Sequence, residues 1–598
     1  MDLYLPAELV ELIALCLSNN EQFHCLTISK KWYESIFRAL YKIIRINYRR
    51  QLKLLLKLFS YQPKYGLLVR QIYFNKSSHN IVGITTQELD QLITYCPFLE
   101  ILDFDQSIWK YIKHASIFKY QLKQLPTLNL YAPSLFLLEN PFYLLTLTQL
   151  TLCGELVSQL FDHSPRLIQL LSNTPDLRRL TLDSKQHKSH VIYVSYHIIE
   201  AIHTSLTKLE ELEITGSFQF HIQNGDGLLG FIYPTKVRRL KLKANLLPPQ
   251  WIYYIAQKYP QLEELDLEVM NTADNLTSYH QREGIQYLFS LLLDHCLRLC
   301  KIQLDSRTAT MYLTPFFFER STSHKSLKEI KIKNIPYNLV SCEHVFFDTL
   351  VKYGQQLVTG LGTEFIDTNP LSHFTNLTEL SLCCGYPYVD CGLNLLLIHC
   401  KKLKHLTIRS AHVMIEQLNY VYYRELKGHP LISLHLSAVS FSSDIFVYLG
   451  NACPALNQLS IYDCSQRDNF ANCIHINMPN NNFHSIIING IRLDSVLLHA
   501  LVWMPNARVL SIKTATGKKK RWYHVYNRNK LCYPVNPKIQ RLNARKATIA
   551  ECYYQLNHQS YLDEIIKWED DLLFGQIEIQ CRSIKHWEFI CHTTFNEF

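Results

Sequence analysis

The sequence predicts an α/β solenoid, a fold in which repeated units stack with parallel strands on a concave face and helices outside. The main observation is a short phrase: an aliphatic residue, two variable residues, an aliphatic residue, one variable residue and a third aliphatic residue. Residues 177–182, 209–214 and 262–267 carry it clearly. Most copies start roughly 22 to 32 residues apart, a period typical of stacked repeats.

The phrase occurs in about sixteen copies along the chain. They start at Val69, Leu99, Leu125, Leu147, Leu177, Leu209, Val237, Leu262, Leu299, Leu327, Leu377, Leu403, Leu431, Leu456, Phe483 and, weakly, Ala507. We expect the wide gap between Leu327 and Leu377 to hide a degraded copy. Helical segments that close on Cys, Pro or a polar residue lie between the phrases, as in residues 89–97 and 395–400.

Each repeat is therefore predicted to run strand, turn, helix, and this pattern resembles leucine-rich-repeat proteins. The resemblance implies a horseshoe, with parallel strands on its concave face, that extends over residues 46–513. Cys96, Cys296, Cys400 and Cys453 share one place at the helix end, where a small buried hydrophobe is expected.

The variable positions of the phrase are expected to point to the concave surface, because side chains alternate along a strand. Glu213, Lys241 and Asp266 should then be lateral neighbours on adjacent strands, forming an acid–base–acid ladder beside Arg239. Two interpretations remain open. These charges either satisfy one another or take part in binding a substrate.

Further along, the same surface changes from charged to hydrogen-bonding and aromatic side chains. His405, Arg409, His435 and Tyr462 fall at its variable positions, and Tyr and Arg are enriched at binding hot spots. We hypothesise that a protein substrate contacts this surface. The candidate substrate-binding residues are Arg239, Lys241, Asp266, His405, Arg409, His435 and Tyr462.

Residues 1–45 precede the array and predict three short helices. Leu9, Leu12, Ile13 and Cys16 recur at helical spacing, and Ser29 can cap a helix that contains Trp32. The segment resembles an F-box in Leu5, Pro6, Glu8, Leu9, Ile13, Leu17, Leu26, Ile28, Ser29, Lys30, Lys31, Trp32, Leu40, Tyr41 and Ile44. It departs from the usual acidic, leucine-containing step at residues 19–23, and the alternative is a helical cap for the solenoid.

The F-box resemblance implies the substrate receptor of a Skp–cullin–F-box ubiquitin ligase. The F-box would bind a Skp-family adaptor, and through it a cullin, while the repeats would hold an unknown protein substrate. The ligase chemistry would belong to other subunits, so no catalysis and no cofactor are expected of this chain. The adaptor-binding or supporting residues would be Leu5, Pro6, Leu9, Ile13, Ile28 and Trp32. The alternative function is a ligase-independent interaction scaffold.

The period fades after residue 513, and residues 514–598 are expected to form a C-terminal cap or tail. Trp522, Trp568 and Trp587 favour an ordered segment. Residues 584–589 faintly repeat the phrase, and the segment could instead fold back over the concave face.

Composition predicts a cytoplasmic or nuclear protein. Eighteen cysteines are sparse for a disulfide scaffold, and the N-terminus lacks a secretory apolar run. No stretch approaches the roughly 18 apolar residues of a membrane span. Nucleic-acid binding is not favoured by a net charge of +10, although Lys518, Lys519, Lys520 and Arg521 keep it open as a third function.

Two other motifs are not interpreted as sites. Residues 225–230 match a dinucleotide fingerprint, but the next predicted strand leaves no room for the helix that would bind the pyrophosphate. Cysteines 383, 384, 391 and 400 with His399 lack the paired short spacings of a zinc site. We therefore expect no metal-binding residues.

Overall fold

The chain divides into two compact units. Unit 1 comprises Met1–Ile302 with Ser323–Leu327, and unit 2 comprises Gln303–Thr322 with Lys328–Phe598. A computed structural model describes residues 5–17, 19–27, 29–76, 82–113, 122–184, 191–221, 233–269, 279–305, 308–309, 312–335, 352, 354, 357–363, 369–383, 390–416, 428–442, 444–466, 473–493, 507–515, 517, 520–526, 538–555, 572 and 575–590.

Unit 1 alternates short helices with short parallel strands. Its helices are α1 Ala7–Cys16, α2 Asn19–Cys25, α3 Lys30–Lys42, α4 Arg49–Tyr61, α5 Pro63–Gly66, α6 Thr86–Tyr95, α7 Ala132–Glu139, α8 Pro141–Leu144, α9 Glu155–Asp162, α10 Ser164–Ser172, α11 Tyr196–Ser205, α12 Pro249–Lys258 and α13 Tyr279–His295. Its strands are β1 Ile43–Ile46, β2 Gln71–Phe74, β3 Ile101–Asp103, β4 Gln149–Cys153, β5 Arg179–Asp183, β6 Ile192–Val194, β7 Glu211–Thr215, β8 Phe218–Phe220, β9 Arg239–Ala244 and β10 Glu264–Val269.

Two elements, β11 Lys301–Asp305 and α14 Pro315–Ser323, contain residues of both units. The strands of unit 2 are β12 Glu329–Ile335, β13 Val358–Thr363, β14 Glu379–Cys383, β15 Asp390–Gly392, β16 His405–Arg409, β17 His412–Met414, β18 Ser433–Ser437, β19 Ser440–Phe441, β20 Gln458–Gln466, β21 Cys473–Leu493, β22 Val509–Thr514, β23 Arg521–Tyr526, β24 Lys538–Arg541 and β25 Gln576–Ile590. Its helices are α15 Leu393–His399, α16 Asp444–Ala452 and α17 Ala544–Gln555.

The predicted stack of parallel strands is confirmed in unit 1. Strands β4, β5, β7, β9 and β10 pair in that order, and each pair is parallel. Their register aligns one buried leucine from every strand: Leu150, Leu180, Leu212, Leu240 and Leu265. The aliphatic positions of the phrase therefore form a continuous core row.

Unit 2 has the same organisation, with β12, β13, β14, β16, β18, β20 and β21 paired in parallel. A buried aliphatic row runs through Leu380, Leu406, Leu434, Leu459 and Ile486. Strand β13 lies in the gap that was expected to hide a degraded repeat, which confirms that prediction. The chain thus has leucine-rich-repeat architecture.

The helix-end cysteines occupy one repeated turn. The N–H groups of Cys96, Cys296, Cys400 and Cys453 donate to the carbonyl four residues earlier, at 2.8 to 3.0 Å. Their carbonyls accept the N–H of the leucine three residues later, at 2.9 to 3.1 Å, where the next phrase starts. All four side chains are buried, and burial raises the pKa of each thiol to about 12. Their predicted role as small buried hydrophobes is confirmed.

The end of unit 2 departs from simple stacking. Among the described residues, strand β22 has no paired register with β21, although the N–H of Ala507, where its phrase starts, donates to the Ile491 carbonyl of β21 at 2.9 Å. Strand β25 lies between them and is parallel to both. Beyond β22, strands β23 and β24 continue the sheet as antiparallel neighbours. The C-terminal segment 514–598 therefore contributes a central strand to this sheet.

Among the described residues, no helix combines the length and the apolar character needed to cross a membrane.

Candidate interaction surfaces

The N-terminal helices α1, α2 and α3 pack around a small core of their own. Val10 and Ala14 of α1 are buried against Ile36 and Ala39 of α3. Six further apolar side chains pack partly buried against this cluster: Leu5, Leu15, Cys25, Leu26, Trp32 and Leu40. The module thus uses one side of α1 for its own core.

Polar side chains hold the three helices in place. The buried Gln22 donates through Nε2 to the carbonyl oxygens of Ala14 and Leu17, at 2.7 and 3.1 Å, which satisfies acceptors at the end of α1. Ser29 Oγ accepts the N–H of Trp32 at 3.2 Å, which confirms the predicted N-cap of α3.

The opposite side of α1 carries an exposed apolar stripe. Leu9, Leu12 and Ile13 are 45%, 58% and 41% exposed, and we call these three residues the α1 stripe. Phe23 of α2 is also exposed. Soluble proteins seldom leave contiguous apolar groups in water unless they serve as an interaction site. The apolar residues that recur at helical spacing in the sequence therefore lie on the outward-facing side of α1, and not on the side that packs against α3.

The predicted adaptor-binding residues fall into three groups. Pro6, Leu9 and Ile13 are exposed, with Pro6 at the N-cap of α1. Leu5 and Trp32 pack against the module's own core, so they are placed to support it. Ile28 lies outside the described residues.

The variable positions of the strands in unit 1 form a charged face. Glu213, Lys241 and Asp266 are directly paired across β7, β9 and β10, which confirms the predicted ladder. Lys241 Nζ lies 2.6 Å from Glu213 Oε1. One row along, Glu211 pairs with Arg239 on one side and with Arg179 on the other.

The environment of Lys241 explains why it remains charged. Partial burial alone would lower the pKa of this ammonium group, but the hydrogen bond and charge of Glu213, with the charges of Asp266 and Asp183, raise the pKa above its ordinary value. Arg239 and Lys241 are thus both engaged with carboxylates of the same face. Each such half-exposed pair contributes only about 0 to 1 kcal/mol to stability.

The strand face of unit 2 is less charged. His405 Nδ1 lies 2.9 Å from Ser433 Oγ on the neighbouring strand. His435 and Tyr462 lie one strand apart, and their rings are 5.0 Å apart between centroids at an interplanar angle of 36°. Burial, followed by the charge of Arg409, lowers the pKa of His435, so this ring is neutral near pH 7. Arg409, His435 and Tyr462 therefore form one surface, which we call the β16–β20 face.

Strand β25 extends this face, which the sequence reasoning missed. Its register places His586 beside Ser485 and Glu588 beside Ile487 of β21. Burial, followed by the charge of Glu588, raises the pKa of Tyr462. The only sequence signal for this placement was the faint phrase at residues 584–589.

Part of the basic run at residues 518–521 and part of the cysteine motif lie in the described chain. Lys520 lies 2.8 Å from Glu578 Oε1 and also over the ring of Trp522, so its charge is engaged. Lys518, Lys519 and residues 225–230 lie outside the described residues. Cys391 and Cys400 are buried thiols, and Cys384 is not described.

Within the described ranges, one group of Cys, His and acidic side chains is close enough to share a metal ion. It consists of Cys473, His475 and Glu578. The sequence could not indicate it, because Glu578 lies far from the other two residues along the chain.

No protein-family model matches the chain, and no curated protein matches it. Among solved structures it is similar to the internalin InlF of Listeria monocytogenes, with 13% identity and a TM-score of 0.27 over 50% of this chain and 77% of that chain. It is also similar to TLR13 in its ssRNA13 complex, with 14% identity and a TM-score of 0.32 over 74% and 62%. A third is LegL7, a leucine-rich-repeat protein of Legionella pneumophila, with 12% identity and a TM-score of 0.24 over 54% and 84%. The assignment of the leucine-rich-repeat fold rests on the parallel strand register.

Proposed function

We propose that this chain is the substrate receptor of a Skp–cullin–F-box ubiquitin ligase in the cytoplasm or nucleus. Helices α1 to α3 would bind a Skp-family adaptor, and through it a cullin. The strand face of the repeats would hold a protein substrate, and the other subunits would carry out the ligase chemistry.

The observation that carries the proposal is the exposed α1 stripe. Val10 and Ala14 already supply the core side of the helix, so the stripe is available to a partner. An apolar helix face of this kind fits against the helices of another protein. The F-box-like residues of the sequence lie on the same module, which gives the partner its proposed identity.

The adaptor contact can be tested with Leu9→Ala combined with Ile13→Ala. Both side chains are exposed, so the module should fold while it loses apolar contact area. We expect recovery of a Skp-family adaptor, measured by co-purification, to fall by about tenfold or more, as for central interface residues. The matched control is Leu54→Ala, which removes a similarly exposed leucine from α4. Unchanged adaptor recovery in the double variant would contradict the ligase proposal.

A second candidate is a scaffold outside any ligase, in which the module only caps the solenoid. It is favoured by the contact of α3 with the start of the array, where Phe37 and Tyr41 each lie 5.2 Å from the Tyr65 ring. Helix α3 also leads directly into β1, which pairs with β2. Purification of a stable chain that binds no adaptor supports this candidate.

The substrate contact can be tested with Arg409→Ala combined with Tyr462→Ala. Hot-spot residues of these two types cost about 2 kcal/mol or more when truncated. We expect proteins that co-purify with the wild-type chain to be lost from this variant while adaptor recovery stays unchanged, as measured by mass spectrometry. The control, Arg166→Ala with Tyr193→Ala, removes an exposed arginine and tyrosine from unit 1. If every co-purifying protein persists in the Arg409 and Tyr462 variant, the substrate does not bind the β16–β20 face.

A further inference from the structure

The side chains of a cysteine, a histidine, a glutamine and a glutamate meet where β21 and β25 pair. Cys473 and His475 are two residues apart on β21, so they point to the same side of the sheet. Gln576 and Glu578 occupy the directly opposite positions on β25, with Cys473 paired to Gln576 and His475 paired to Glu578. Residues about one hundred positions apart are thus brought onto one face.

Three of these side chains present metal-ligating atoms to one another. Cys473 Sγ lies 3.8 Å from His475 Nδ1, and His475 Nδ1 lies 3.4 Å from Glu578 Oε2. All three ligand atoms lie within 4.8 Å of one another. They therefore surround a small common volume.

The two separations measured from His475 Nδ1 are close to those of a tetrahedral zinc site. With Zn–S near 2.3 Å and Zn–N and Zn–O near 2.0 to 2.2 Å, neighbouring ligand atoms lie about 3.4 to 3.6 Å apart. The measured histidine–carboxylate distance already falls in this range. The cysteine–histidine distance requires a side-chain adjustment of only a few tenths of an ångström.

Two further side chains orient the ligand atoms. Gln576, which is 4% exposed, donates through Nε2 to Cys473 Sγ at 3.0 Å. Lys520 holds the other carboxylate oxygen of Glu578, Oε1, at 2.8 Å, which leaves Oε2 directed at His475. Hydrogen bonds of this kind to ligand atoms are typical of metal sites.

We propose that Cys473, His475 and Glu578 bind a zinc ion that fastens β25 to β21. Thiolate, imidazole and carboxylate are the three side-chain ligands that zinc takes, and water would complete the coordination. His475 is half exposed, so the ion has a path from solvent. Because the ligands come from two strands, zinc would link the C-terminal strand to the repeat array.

The test uses the full chain after removal of metal with a chelator. Zinc titration followed by elemental analysis should give about one ion per chain. Cobalt substitution should give visible bands of tetrahedral cobalt and a near-ultraviolet thiolate-to-cobalt band. Saturating zinc should raise the unfolding temperature of the wild-type chain, because the ion binds only the folded site.

Each ligand has a matched variant. Cys473→Ser should abolish the thiolate band, and His475→Ala and Glu578→Gln should weaken zinc binding by about 100-fold or more, beyond the 10- to 100-fold typical of outer-shell changes. Cys552→Ser, at an exposed cysteine of α17, and His586→Ala, at an exposed histidine of β25, should bind zinc like the wild type. Circular dichroism checks that each variant is folded. If Cys473→Ser does not fold, the zinc affinity of the isosteric Glu578→Gln variant tests whether this site binds the ion.

Two results would overturn the proposal. The first is a wild-type chain that binds neither zinc nor cobalt, in which case His475 and Glu578 form only an ion pair. The second is zinc binding that persists undiminished in Glu578→Gln and in folded Cys473→Ser, which would place the ion elsewhere.

Discussion

Lys258 shows how a single buried charge is stabilised between two helices of unit 1. Its side chain at the end of α12 is 2% exposed, and Nζ lies 2.6 Å from Glu200 Oε2 of α11. Tyr254 donates to the other oxygen of Glu200 at 2.7 Å. A buried ammonium group without such a partner would be strongly destabilising. The Glu200 carboxylate therefore fixes how α11 and α12 pack.

His203 of α11 lies next to this charge. Its Nε2 lies 2.8 Å from Tyr259 Oη, and burial, followed by the charge of Lys258, lowers the pKa of His203 to about 3. The folded chain therefore holds this ring neutral, whereas the unfolded chain protonates it below about pH 6.5. Below pH 6.5 the unfolded state therefore binds one more proton at this position than the folded state. The titration of His203 leaves the free energy of unfolding unchanged above pH 6.5 and lowers it as the pH falls from 6.5 towards 3.

We predict a pH-dependent difference between wild type and His203→Gln. Gln can keep a polar atom near Tyr259 but cannot titrate. The wild-type free energy of unfolding should fall between pH 6.5 and 3 more steeply than that of the variant, by up to about 1.4 kcal/mol per pH unit. Denaturant unfolding at several pH values measures this. His197→Gln, at an exposed histidine of the same helix, should keep the wild-type slope, and equal slopes in His203→Gln would refute the prediction.

Turns at the strand ends show how successive repeats of unit 2 are linked. Ser410 and Ala438 follow β16 and β18, and Asp463 occupies the corresponding position within β20. Their φ angles are 50°, 52° and 50°, a conformation that costs an ordinary residue about 1 to 2 kcal/mol. The N–H groups of Ser410 and Ala438 donate to the carbonyl oxygens of Ser437 and Tyr462 on the next strand, at 3.1 and 2.8 Å. The recurring bond helps offset the backbone strain in this position.

Strand β25 lies between β21 and β22 and pairs in parallel with both. Ile577 is buried in register between Ile474 of β21 and Leu510 of β22, and Ile579 is similarly placed one step further along. The apolar contacts of β22 with the repeat array thus depend on a strand that comes later in the chain.

We predict that Ile577→Ala loosens β22 and β23 together. Truncating a buried isoleucine costs about 2 to 5 kcal/mol. Amide hydrogen exchange, measured by mass spectrometry, should speed up in residues 509–514 and 521–526. Lys585→Ala, at an exposed position of the same strand, should leave that exchange unchanged. Normal protection of β22 in Ile577→Ala would show that β25 does not hold it.

At the scale of the whole molecule, the sequence predicted what repeats along the chain. The leucines at 180, 212, 240 and 265 fall into one row because each phrase has the same period and the same alternation. The Glu213, Lys241 and Asp266 ladder follows from that register. These features are local, so a pattern of a few residues is enough to place them.

Features that depend on pairing between distant segments escaped prediction. The faint phrase at residues 584–589 indicates a strand but does not indicate that residues 576–590 lie between β21 and β22, because their alternation suits other neighbours equally well. The meeting of Cys473 with Glu578 depends on that choice. The α1 stripe was found by its spacing, but only the packing of Val10 and Ala14 shows which side of α1 faces outward.

The position of β25 also constrains how the protein is made. A ribosome synthesises β22, β23 and β24 before β25, although β25 separates β22 from β21 in the finished sheet. Until β25 emerges, one edge of β21 and one edge of β22 lack their native neighbour, and open strand edges pair readily with other chains. Before this late strand is inserted between the two earlier ones, this end of the protein therefore presents strand edges that can pair with other chains.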